Sequence, residues 1–168
     1  MKNKTLIMTI VILIISMSSK AQVTGKLADS RDGKTYKTVH IGTQTWMAEN
    51  LAYKTSSGCW AYNNDQSNVA TYGYLYNWEA AKNVCPSGWH LPTKTEWATL
   101  INYLGGENIA GGKLKSTKFW KSPNTEASNS SNFSATPSGG RDKSGSFGFI
   151  GFGGIWWSII LPKIRTTS

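Results

Sequence analysis

Trp97, Leu100, Ile101 and Leu104 fall at i, i+3, i+4 and i+7, the spacing of one helical face. The residues before them define a start. Pro92 blocks an earlier beginning. Thr93 and Glu96 have the S/T-x-x-E spacing of a capping box, in which the hydroxyl accepts from one free backbone N–H and the carboxylate from another. Gly105-Gly106 closes the pattern where a left-handed residue costs least. The spacing predicts a helix over 94–104 and gives Thr93, Glu96 and Trp97 structural roles. A weaker stripe of Leu75, Trp78 and Ala81, with the Ala80-Ala81 pair, predicts an earlier helix over 74–84. Cys85-Pro86-Ser87-Gly88 leads from one to the other.

Other segments carry strand and turn signals. Residues 35–41 are rich in β-formers, and 44–47 can pair with them across Gly42-Thr43. Residues 22–30 read as a leader with room for one strand, and Arg31-Asp32-Gly33 as a turn. The stretch 51–65 is irregular. Gly111-Gly112 and 122–132 read as loops, and 133–136 as a short strand. Asp142-Lys143-Ser144-Gly145 punctuates a second hairpin, whose return strand Phe147–Ile150 sits among glycines that permit close backbone approach. The pattern predicts one loop-rich α+β domain, with the two helices flanking a small, mostly antiparallel, twisted sheet.

The N-terminus has a different character. Lys2 and Lys4 precede an apolar run from Leu6 to Met17, and Ser19-Lys20-Ala21 places small residues at −3 and −1. This is the form of a Sec signal peptide, residues 1–21, cleaved after Ala21. The first cysteine is Cys59, so a lipoprotein is not expected. The product should be secreted or held at the cell surface, with no transmembrane segment after cleavage. Removing Lys2, Lys4 and Lys20 lowers the formal charge from +9 to +6. The remaining basic residues are dispersed along the sequence, which does not point to nucleic acid.

Eight Trp, seven Tyr and five Phe are a heavy aromatic load for 168 residues. In the irregular first half, Trp60, Tyr62, Tyr72 and Tyr74 are the candidate binding residues, since exposed rings can stack on sugar faces. Trp46, Trp78, Trp89, Trp97 and Trp156 read as core. Catalytic and metal chemistry finds little support. His40 and His90 are isolated, no CxxC or HxxxH spacing occurs, and the calcium-loop, phosphate-loop and serine-hydrolase patterns are missing. No cofactor, metal or catalytic residue is expected.

Several ordered motifs carry a family resemblance. They are Asp32-Gly-Lys-Thr-Tyr36, Val39-His-Ile-Gly42, Gln44-Thr-Trp-Met-Ala-Glu-Asn-Leu51, Tyr72-Gly-Tyr-Leu-Tyr-Asn-Trp-Glu-Ala-Ala81 and Cys85-Pro-Ser-Gly-Trp-His-Leu-Pro-Thr93 with Glu96-Trp97. Gly139-Gly-Arg141 and Trp156-Trp-Ser158 follow. Together they resemble the Fibrobacter succinogenes major paralogous domain over residues 31–158. That family comprises secreted and surface proteins, mainly of Fibrobacter and Bacteroidetes, without an established activity. Helix, Cys85, Gly88-Trp-His-Leu91 and second helix are also similar to the first half of a C-type-lectin-like domain. Leu91-Pro-Thr93 with Glu96-Trp97 resembles formylglycine-generating enzymes, whose chemistry needs a C-terminal cysteine pair that these residues do not supply. The sugar-binding Glu-Pro-Asn and Trp-Asn-Asp signatures of C-type lectins are missing too.

The resemblance ends at Ser158. Residues 159–168 form a divergent tail unlike the family's continuation, so the expectation is a C-terminally truncated or frame-shifted member. The resemblance implies that Cys85 pairs with a late cysteine. Cys59 is the alternative partner, and two free thiols are the other outcome. A Cys59–Cys85 bridge would contribute roughly 3–4 kcal/mol in the chain-entropy model. The implied function is binding, adhesion or surface structure without catalysis, with a glycan or surface protein as partner. The alternatives are a carbohydrate-binding module and a non-functional fragment.

Overall fold

The computed structural model describes residues 23–159. The signal peptide expected over 1–21 lies outside the described residues, as does the tail from 160 onward. Strand β1 (Thr24–Ala28) joins β2 (Thr35–Ile41) and β3 (Gln44–Met47) in an antiparallel sheet of order β1-β2-β3. The leader therefore supplies an edge strand. Ile41 pairs with Gln44 across Gly42-Thr43, as the hairpin spacing predicts. Gly42 has φ +63°, the region a tight two-residue turn requires.

Next come β4 (Cys59–Trp60), two short 3₁₀ turns, α1 (Val69–Tyr72), β5 (Leu75–Tyr76) and α2 (Trp78–Ala81). The helix expected over 74–84 is thus a single turn preceded by a strand. Asn77 sets the boundary. Its extended backbone and side chain cap α2 by accepting from Ala80 N, while Leu75 and Tyr76 pair with Trp60 and Cys59.

Helix α3 (Lys94–Tyr103) has both arms of the predicted capping box. It ends in a Schellman motif: Gly106 N–H donates to Ile101 O and Gly105 N–H to Asn102 O. Leu100 and Leu104 are buried, with Trp97 and Ile101 packed beside them. They meet Val39 and Ile41 of β2 and Trp46 of β3, whose indole lies 4.9 Å from Trp97 and 5.8 Å from Phe133. Burying each such side chain stabilises the fold by roughly 1.5–3 kcal/mol.

Helix α4 (Glu107–Leu114) runs through Gly111-Gly112, which the sequence marks as loop. The reason is tertiary. A Cβ on Gly112 would lie 2.5 Å from Glu126 O, so the helix persists with glycine where another backbone passes. The strand expected over 133–136 reduces to one bridge at Ala135, because Asn132 and Ser134 adopt positive φ on either side of Phe133. Strands β6 (Ser138–Arg141) and β7 (Phe147–Ile150) form the second predicted hairpin. Asp142 fixes its turn by accepting from Ser146 N and Ser144 Oγ. The architecture is mixed helix and strand, with three small antiparallel sheets among the described residues instead of the single expected sheet.

Candidate binding cleft

The β3, β5 and β6 segments all border one cleft of about 1040 Å³, whose walls are mainly apolar and rich in Trp and Tyr rings. Such a volume lies at the upper end of small-ligand pockets. The chain after β7 forms one wall. Trp157 packs at a tilt against Trp78, ring centroids 5.5 Å apart, and donates its indole N–H to Tyr76 O at 2.9 Å. That carbonyl is free because Gly58 and Asn77 form the hydrogen-bonded pair of the β4–β5 ladder. The alternate residue Tyr76 therefore turns its backbone groups to the open edge. Trp156 donates to Asn50 Oδ1 at 3.1 Å. Asn50 in turn donates to Tyr72 O and Thr136 Oγ1, so one amide ties four segments together beside the cleft.

Two of the four candidate rings line this cleft and two do not. Trp60 lines it, with the Arg141 guanidinium 4.3 Å over its ring. Tyr74 lines it too, its hydroxyl donating to Gln66 Oε1. Tyr62 is buried against Phe147 and offers no free face. Tyr72 packs edge-on against Phe119, away from the cleft lining. Sequence reasoning missed Trp157 and assigned Trp78, Trp89 and Trp156 to the core. The Trp156-Trp157 pair was the available signal, since adjacent indoles in an extended segment cannot both face one core.

The polar groups at the cleft are engaged or orphaned. Glu96 accepts from Thr93 N at 2.7 Å and contacts His90 Nε2 at 2.9 Å. The Thr93 N–H bond holds its carboxyl below the usual range; burial opposes this and His90 adds to it. Glu96 is thus a committed cap, not a free acid. Gln44 and Trp46 also line the cleft, and Gln44 Oε1 and Trp46 Nε1 are buried without a hydrogen-bond partner. Among the described residues, no group of three or more His, Cys, Asp or Glu side chains is placed to hold a metal ion.

Cys85 borders the cleft as a free thiol, pushed above its usual pKa by burial. Cys59 is free as well, its thiol 3.6 Å from Thr55 O. The loop carrying Cys85 is held by Arg31, which donates to Val84 O at 2.8 Å and lies 3.9 Å over the Tyr53 ring. Arg31 is itself gripped by Asp29 through Nε at 2.8 Å and a terminal nitrogen at 2.6 Å. No described helix is long and apolar enough to cross a membrane.

Comparison with known families adds one match. The family model described as the Fibrobacter succinogenes major domain matches residues 39–160, which contain every cleft residue named above. No curated protein and no solved structure matches the chain.

Proposed function

We propose, given that this chain belongs to the Fibrobacter succinogenes major domain family, that it is a secreted or surface-exposed binding domain without catalysis. Its fold is read as C-type-lectin-like, and its signal peptide as cleaved after Ala21. The aromatic cleft is its ligand site, and the cleft is the observation that carries the reading. An apolar concavity with a few fixed polar groups is the usual form of a small-ligand site.

A glycan fits this chemistry best. Sugar rings present one apolar face to aromatic side chains and hydroxyls to polar groups. Trp60, Trp78 and Trp157 supply rings, while Asn50, His90 and Arg141 stand along the same lining. A glycan array probed with the intact mature chain and with Trp60→Ala tests the assignment. Retention of a defined glycan class by the intact chain, weakened by the substitution, is the expected result. Absence of retention by the intact chain contradicts the glycan reading.

A further inference from the structure

A second surface is formed by residues that do not line the cleft. Phe149 of β7 and Phe152 just beyond its end have 75% and 64% of their surface exposed. Phe119, about half exposed, projects from the neighbouring 116–121 loop, which Lys121 N–H fastens to Gly151 O. Phe149 and Phe119 have φ of +66° and +72°, backbone that bulky side chains rarely adopt. Strain of this kind, at two exposed rings on loops linked through Lys121, is retained where it serves a contact.

Charge selects the contact. Lys118 and Lys121 are exposed, form no ion pair among the described residues, and flank these rings; Lys121 Nζ lies 4.6 Å over the Phe152 ring. From 113 to 157 the chain carries Lys113, Lys115, Lys118, Lys121, Arg141 and Lys143 against Glu126 and Asp142 alone. A two-fold pairing of copies through this patch would set its lysines against one another. An anionic lipid surface accepts both features at once. The phenylalanines enter the interface, and the lysines meet the headgroups.

We infer that the Phe119, Phe149 and Phe152 tips, with Lys118 and Lys121, form a peripheral membrane-docking surface for anionic lipid. The test is liposome flotation of the mature chain. Vesicles of phosphatidylcholine alone are compared with vesicles containing about one quarter phosphatidylglycerol, at roughly 0.05 M and 0.5 M salt. The expected result is flotation with the anionic vesicles at low salt, lost at high salt and weak with neutral vesicles.

Lys118→Glu with Lys121→Glu should weaken flotation by about thirtyfold or more, at roughly fivefold per removed lysine. Phe149→Asn should weaken it while leaving the thermal melt unchanged or raised, since Asn tolerates this φ better than Phe. Phe152→Ser, at an exposed site with ordinary backbone, is the second apolar variant. No flotation with anionic vesicles overturns the proposal, as does flotation that both apolar variants retain. A concentration-dependent dimer that Phe149→Asn abolishes, seen by sedimentation velocity, also overturns it and assigns the patch to self-association. Cleft variants such as Trp60→Ala should float as the parent does, which separates this surface from the ligand site.

Discussion

Replacing Asp29 by Ala should destabilise the domain by about 2–3 kcal/mol at neutral pH, and the loss should shrink in acid. The Asp29 side chain is 1% exposed and grips Arg31 through both carboxylate oxygens, with a third bond from Arg31 N–H. Breaking a fully buried pair costs roughly 3–5 kcal/mol, because it strands a charge. Here the Arg31 side chain is 27% exposed and keeps its bond to Val84 O and its place over Tyr53, so part of that cost is recovered. The bond to Arg31 holds the Asp29 carboxyl below its ordinary value, against burial, which raises it. A lowered folded pKa means stabilisation that is fully present above the unfolded value of about 3.9 and is lost as pH falls toward the folded value. Urea unfolding of the mature chain and of Asp29→Ala, at neutral pH and near pH 3, measures both effects. A difference below about 0.5 kcal/mol at neutral pH, or one that does not narrow in acid, would refute the reasoning.

Thr93→Ala removes one arm of the α3 capping box and should cost about 1 kcal/mol in the same assay. Gly111→Ala and Gly112→Ala should act in opposite directions within α4. Open space at Gly111 lets the better helix former gain roughly 0.5–1 kcal/mol. At Gly112 the new Cβ meets Glu126 O at 2.5 Å, and overpacking of about 1–3 kcal/mol outweighs that gain. Thiol titration of the unfolded, unreduced chain should find both Cys59 and Cys85 free; finding neither would show that they are bridged. In the folded chain Cys85 should react slowly near neutral pH, because burial raises its pKa and depletes the thiolate.

What was legible in the sequence was what neighbours in sequence decide. Helix α3 was visible because its cap, apolar stripe and glycine stop all lie within fifteen residues. The β2–β3 hairpin was visible for the same reason. Helix α4 was hidden because its glycines answer a backbone that arrives from residue 126. The 74–84 reading failed because Asn77 is both a polar residue in an apparent stripe and an N-cap, and only pairing with β4 shows which role wins. The cleft was the least legible part. Trp157 bonds to Tyr76 and Trp156 to Asn50 across long separations, so no local pattern marks which indoles face outward. Trp60 and Tyr74 were found by their irregular setting, but the same reasoning also picked Tyr62, which packing against Phe147 removes from the surface.

The central claim is that the aromatic cleft is the ligand site, and indole N–H NMR tests it most directly. The mature chain would be titrated with the glycan best retained on the array. The account predicts that the indole signals of Trp156 and Trp157, whose N–H groups bond to Asn50 and Tyr76 at the cleft, shift with ligand. Trp120, which donates to Ala135 O and does not line the cleft, should stay fixed. Movement of Trp120 with the cleft indoles unmoved would place the ligand elsewhere and contradict the account.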